Sequence, residues 1–497
     1  MISRINIGFL TIFLLLSGCE YEFPEIIEDY NSGSTNVANY VGIGDNFSAG
    51  FMDGALFTDG QQNSLPAIMA VEFELAGLTN FSQPDISSMN GFNPLVPDAT
   101  KTYGRWVYAF TNEDQTEPER ILTNGETPLP FSGELNAPGN FAVPFARCFD
   151  FDKPEFSNNL YYKRFASNPG NSTLIGDILA TNPSFFTLWI GIYDYMVFAI
   201  NGGTGNPNPP SDPSQVGTID LTPADLFNTE LQTILSILLE NHDRKGLIAE
   251  LPMVDDFPFF YTLPYNFMTL IGSALGVARA SYKSFNEAVA LHNSKNPDDK
   301  RPYIDFNDNG GTPYPQPLVV VDNTLADAFY TDGVTPLPKY RQLQEGELLL
   351  LSLPVEKVEY GLGSIIPVED TLYLSLDQIE VIKTRISAFN AIIEQEAAKY
   401  PNQLFVVHLT ELIHQIAETG KYDAWGRPPS TEIYQYNGVP LSGDLGLNSI
   451  FSLDGLQFNQ RGNAFIANRF LQTMNDQFSS NLPEINLNAF VGNTVQR

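Results

Sequence analysis

The first residue whose setting prescribes a reaction is Cys19. It closes the run MISRINIGFLTIFLLLSGC, in which Arg4 and the amino terminus supply a positive start and Ile7 to Leu16 a short, mostly apolar stretch. That stretch is too short for a bilayer, which takes about 20 apolar residues, and it fits the core of a signal peptide. Leu16-Ser17-Gly18-Cys19 looks like a lipobox. Its small residues suit a peptidase pocket, and the cysteine thiol is the atom that receives a diacylglyceryl group. An ordinary signal peptide with a chance cysteine is the alternative, but the order of apolar run, small pair and cysteine favours lipidation. On this reading residues 1–18 are a lipoprotein signal peptide, and acylated Cys19 makes membrane lipid a direct partner.

The other chemistry-bearing residues are sparse. Cys148 is the one remaining cysteine, so with Cys19 lipidated neither an intramolecular disulfide nor a cysteine metal site is possible. Cys148 reads as a small buried hydrophobe. The four histidines, His242, His292, His408 and His414, have no zinc-type spacing. His242 and His292 sit near expected helix ends, His414 falls on a short helix, and His408 follows a strand that would let it face a crevice; a solvated or core role suits each. Asp305, Asn307 and Asn309 resemble the start of an EF-hand loop, but Gln316 stands where the closing glutamate belongs, which favours a polar turn. No metal or cofactor is expected. The net charge of −32 repels nucleic acid and anionic headgroups.

These residues need elements to hold them. Residues 19–36 are acidic and then rich in Ser, Gly and Asn, as in a flexible tether. Glu20 and Glu22 resemble a surface-export tag or are plain solvated linker. Strands are predicted at Val37–Ile43, Phe185–Ile190, Gly246–Leu251, Leu318–Val321, Leu348–Leu353 and Leu404–Val407. Helices are predicted at Ser64–Ala76, from Thr222-Pro223 to His242, over Phe267–Asn293, and from Asn459 to Met474. Ser375 and Gln378 form a capping box before Ile379, Ile382, Ile386, Phe389 and Ile393, an apolar helix face. Strands alternating with amphipathic helices argue for an α/β fold with a parallel central sheet covered on both faces. The functional crevice then lies beyond the carboxyl ends of the strands. Residues 37–478 read as a single domain with insertions near 95–135 and 295–375, followed by an irregular tail, 479–497. No second stretch is apolar enough to span a membrane.

Four blocks in this frame carry a resemblance. Tyr40-Val41-Gly42-Ile43-Gly44-Asp45-Asn46-Phe47-Ser48-Ala49-Gly50 resembles the first block of the SGNH/GDSL hydrolase family, normally Gly-Asp-Ser-Leu-Ser/Thr. Asn140 to Ala146 is similar to the second. Leu188 to Asp194 is similar to the third, normally Gly-x-Asn-Asp. Asp454-Gly455-Leu456-Gln457 is similar to the fifth, normally Asp-x-x-His. The likeness runs from about residue 38 to 475. It is nearest to the lipoprotein branch, where Asp53–Leu56 and Phe259–Asn266 also look familiar. It implies a flavodoxin-like three-layer α/β/α sandwich.

The family's chemistry needs a nucleophilic serine, a histidine base three residues after an aspartate, and an oxyanion site made by a glycine N–H and an asparagine side chain. By this resemblance the nucleophile position holds Asn46, the oxyanion glycine position Phe145, the asparagine position Tyr193 and the histidine position Gln457. Asp454 remains, without an imidazole to orient. Losing a triad serine or histidine costs on the order of a million-fold in kcat, and losing one oxyanion donor roughly a hundred- to a thousand-fold. No catalytic residue is therefore expected. Ser48, where the family often has Ser or Thr, reads as a hydroxyl capping a helix start. Phe47, Phe51, Phe145, Tyr193 and Tyr195 either fill the old pocket or line an apolar or sugar-binding groove, with Phe47, Ser48, Tyr193 and Tyr195 as its possible walls. The implied role is a pseudoenzyme: a lipid-anchored, non-catalytic binding or accessory subunit at the bacterial outer membrane, on its periplasmic face or at the cell surface. The resemblance implies a partner too, since lipoproteins of this branch are associated with outer-membrane β-barrels of the fatty-acid-transporter type. The rival expectation is an active ester or acyl hydrolase with rearranged residues.

Overall fold

The computed structural model describes residues 29–112, 115–135, 138–421 and 433–496. The expected signal peptide, residues 1–18, and Cys19, Glu20 and Glu22 lie outside the described residues. Strands β1 (Tyr40–Gly44), β2 (Phe185–Trp189), β3 (Lys245–Ala249) and β4 (Leu404–Val407) form one all-parallel sheet in the order β1-β2-β3-β4. Every residue of β1 and β2 is buried, so both faces of these strands are covered.

Six helices concern the site: α1 (Asn46–Ala49), α2 (Leu65–Glu74), α3 (Ile192–Ala199), α4 (Ala224–Leu238), α5 (Leu376–Ala397) and α6 (Gln460–Phe478). Helix α2 packs on α6 and α4 on α5, and both α5 and α6 touch β4. Ser64 caps α2 by accepting the Ala67 N–H, with Pro66 in the first turn. The Ser375–Gln378 capping box opens α5, and Ile379, Ile382, Ile386, Phe389 and Ile393 are its buried face. The fold is thus mixed α/β around a four-stranded parallel sheet.

The free edge of β1 is partly occupied. The Gly42 N–H donates to the Gly139 carbonyl, and the Phe141 and Val143 N–H groups donate to the carbonyls of Gly42 and Gly44, at 2.8, 2.7 and 3.0 Å. Residues 139–143 therefore run parallel beside β1. This segment gives no hydrophobic alternation and is not legible as a strand from the sequence.

Three expectations need correction. The helix expected over Phe267–Asn293 begins instead as a short strand, Met268–Thr269, and continues as two helices, Gly272–Ser281 and Lys283–Lys295. Gly272 has φ +55° and Tyr282 leaves the helical region, and these two residues set the breaks. The segments expected as strands at Leu318–Val321 and Leu348–Leu353 shrink to Val319–Val321 and Leu348–Leu349. They pair antiparallel with Tyr340–Gln342 and Tyr373–Leu374, outside the central sheet. Neither connection holds the crossover helix that a parallel partner would require. Residues 31–34, expected to belong to the flexible tether, are held in place. The Asn31 N–H donates to Asn481 Oδ1, the Ser34 N–H donates to the Phe478 carbonyl, and Lys245 Nζ reaches the Ser34 carbonyl, so the chain is held to the end of α6 before β1 begins.

The core has two parts. The larger contains the sheet and all six helices. The smaller gathers Phe285, Val289, Phe306, Leu318, Val320 and Leu349 around the helix pair 272–295 and its hairpins. Residues 479–496 pack against the body through Leu482, Ile485 and Leu487, and Val495–Gln496 adds to the edge of strand Tyr103–Ala109. No helix among the described residues is long and apolar enough to cross a membrane.

Candidate functional site

The carboxyl ends of β1 and β2 meet. A Cβ on Gly44 would lie 2.3 Å from the Trp189 carbonyl, so only glycine lets the strands finish this close together. Beyond β2, Gly191 takes φ +109° and turns the chain into α3. Asp45 joins these two exits. Its Oδ1 accepts the Phe47 N–H at 3.2 Å, capping α1, and its Oδ2 accepts the Tyr193 N–H at 3.3 Å. The carboxyl is wholly buried, and desolvation pushes it up to about 7 against the opposing pull of these N–H donors.

Asn46, Phe145, Tyr193 and Gln457 come together here. With Phe47, Leu95 and Leu456 they line one crevice whose free space is about 10 Å³, enough for one water at most. The Phe145 N–H donates to Asn46 Oδ1 at 2.6 Å. Phe145 has φ +68°, a left-handed conformation natural to glycine and rare for a phenylalanine. Its ring packs 5.1 Å from Tyr193 and 5.2 Å from Phe51, edge to face in both cases. Phe47 continues the filling against Trp189, Phe257 and Phe458.

On the opposite wall Asp454 is engaged by the backbone. Its Oδ1 accepts Ser452 Oγ and the N–H groups of Leu456 and Gln457, and its Oδ2 accepts the Gly54 N–H at 2.7 Å. Asp53 mirrors this bond, accepting the Leu453 N–H at 2.8 Å with Arg105 3.5 Å away. Burial raises Asp454, and burial together with the Asp454 charge holds Asp53 up at about 7. The two aspartates lace residues 51–56 to 452–457. Gln457 Oε1 is buried and finds no donor among the described residues.

Other candidate residues lie elsewhere. Ser48 is buried inside α1, and the cap of that helix is Asp45, whose longer side chain reaches back to the Phe47 N–H. Tyr195 does not line the crevice; its hydroxyl donates to the Pro252 carbonyl at 2.8 Å, pinning α3 to the loop after β3. His408 is exposed beside Glu394, and His414 Nδ1 lies 2.7 Å from buried Asp256, which Lys421 also approaches. Asp308 accepts the Gly310 N–H within its turn and lies 3.8 Å from Arg279.

Cys148 is buried but is more than an apolar filler. Its Sγ donates to Asp194 Oδ1 at 3.1 Å and its N–H to Asp194 Oδ2 at 2.9 Å, while Thr222 Oγ1 donates to the same Oδ1 and Arg147 bonds to Thr222. Reading the sequence missed this network. The only available signal was the aspartate of the Gly191–Asp194 block, which needed a buried partner from far along the chain.

Among the described residues that line the crevice there is no serine, cysteine or histidine, and buried Asp45 is the one carboxyl. No protein-family model matches the chain, and no curated protein matches it.

Proposed function

We propose that this chain is a lipid-anchored protein of SGNH/GDSL-hydrolase type whose esterase site has been converted into packed structure, and that it serves as a non-catalytic binding or accessory subunit at the outer membrane. The observation that carries the reading is the bond from the Phe145 N–H to Asn46 Oδ1. The side chain at the nucleophile position satisfies the backbone donor that would otherwise stabilise an oxyanion. The adjoining ring then fills the space an acyl group would need. That Phe145 keeps a glycine-like φ supports its equivalence to the family's glycine.

The strand arrangement supports the fold assignment. With residues 139–143 counted as the second strand in the chain, the spatial order is 2-1-3-4-5, the flavodoxin-type order. The helix pairs α2–α6 and α4–α5 supply the two outer layers of a three-layer sandwich in this reading. The lipobox supports anchoring, and two or three acyl chains hold a protein firmly where one does so marginally. An outer-membrane β-barrel remains the partner implied by the family likeness.

The test is direct. The purified chain should leave a fluorophosphonate probe unreacted and short acyl esters intact. Ester hydrolysis that disappears in Asn46→Ala would sink the pseudoenzyme reading, and fluorophosphonate labelling of any serine would favour the rearranged hydrolase. For the membrane part, Cys19→Ala should move the protein from the membrane fraction to the soluble one, and co-purification from membranes should recover a barrel.

A further inference from the structure

A second cleft, remote from the degenerate crevice, opens where the smaller core meets the start of α5. It has a volume of about 710 Å³. Arg341 forms its floor, 5% exposed. Its Nη1 and Nη2 donate to the two oxygens of Glu347, both at 2.7 Å, and its Nε donates to Asp322. Burying such a triad gains little stability over apolar packing, so its presence at the base of a cleft calls for another reason.

Arg301 supplies the second observation. It is 1% exposed and lines the same cleft. Two of its nitrogens are satisfied by the carbonyls of Ala326 and Pro338, but its Nε–H finds no acceptor among the described residues. A buried donor of this kind is costly to leave unpaired. At the rim stand Lys300, Asn323, Asp370 and Asp377.

The balance of groups selects the ligand. An anion entering the cleft meets Asp370 and Asp377, and a cation meets Lys300 and Arg301. Groups that both donate and accept satisfy both signs at once, and hydroxyls do this. A cavity of this size at the junction of two packed units is also typical of small-ligand sites. We propose that this cleft binds a neutral oligosaccharide, with Arg301 Nε donating to one hydroxyl and the rim carboxylates accepting from others. The inference does not depend on whether the Asn46 crevice is silent.

Ligand-observed NMR on the purified full chain tests it. The probes are hexaoses of β-1,4-glucose, β-1,3-glucose, α-1,4-glucose, β-1,4-xylose and β-1,4-mannose, with hexagalacturonate and spermine as charged controls. At least one neutral hexaose should saturate, and Lys300→Ala/Asp377→Ala should weaken it about tenfold or more. Both substitutions are on exposed side chains, so the thermal unfolding midpoint should fall by no more than the loss of one first-turn carboxylate of α5 allows, which separates lost binding from lost fold. Arg301→Lys should weaken binding as well. The proposal is overturned if no neutral hexaose saturates by about 5 mM, if a charged control binds more tightly, or if the rim variant binds as well as the parent.

Discussion

The Asp45 carboxylate accepts the Tyr193 N–H at 3.3 Å and so ties the end of β1 to the first turn of α3. It does so from a fully buried position. Inside the fold both Asp45 and Asp53 hold their protons up to about 7, whereas in the unfolded chain they release them near 3.8. At these two groups the native state therefore binds more protons across that window, and their contribution to stability is fullest below about pH 3.8 and is lost as pH rises through about 7. Each group contributes at most about 4 kcal/mol to this loss. Urea midpoints should be higher near pH 5 than near pH 8. Asp45→Asn/Asp53→Asn should flatten the difference; an equal or larger slope in that variant would contradict the assignment.

Phe145 presents a conflict between backbone and side chain. Its ring packs against Phe51 and Tyr193, while its φ of +68° costs about 1–2 kcal/mol that glycine would not pay. Phe145→Ala should destabilise the protein by about 2–4 kcal/mol through loss of the ring. Phe145→Gly should be the milder of the two by about 1 kcal/mol, reversing the usual order. Tyr193→Ala should also lower the melting temperature, as expected of a filled core. Calorimetry on the three variants decides the matter, and unchanged melting in Phe145→Ala would identify an open groove instead.

On the proposed reading, a serine at position 46 should not by itself confer reactivity. Asn46→Ser places a hydroxyl in a crevice lined by Gln457, which is not a base, by the Phe145 ring and by the Asp45 carboxyl, which already accepts the Phe47 and Tyr193 N–H groups. The variant should remain unlabelled by fluorophosphonate under conditions that saturate an ordinary serine esterase. Labelling would show that the surroundings retain activating chemistry.

The Cys148 thiol is held well above its usual pKa by burial and by the Asp194 carboxylate it donates to. It should resist iodoacetamide until the chain is unfolded. Cys148→Ser keeps the donor and should be nearly neutral. Cys148→Ala removes it and should cost about 1 kcal/mol by chemical denaturation. Rapid alkylation of the native protein would contradict the buried bond.

Much of the frame was legible because it rests on local rules. The Ser375–Gln378 box and the spacing from Ile379 to Ile393 specify α5 by capping and periodicity alone, and FFTLW can hardly be anything but a buried strand. The break at Tyr282 was not legible, since the residues on either side are compatible with one continuous helix. Residues 139–143 were not legible either, because their edge pairing with β1 rests on three backbone hydrogen bonds, which leave no hydrophobic pattern.

The sequence by itself determined which chemical groups stand at each block: asparagine directly before Phe47, glutamine directly after Leu456, and a thiol after a short apolar run. Those are facts of composition and order, fixed before any folding. Only the tertiary structure decided what these side chains do. Asn46 and Phe145 are 99 residues apart, and whether their side chains leave a groove or close it depends on distances of a few tenths of an ångström between elements far apart in the chain. The same holds for Arg301 and Asp377, which share a cleft only because two separately packed cores meet there.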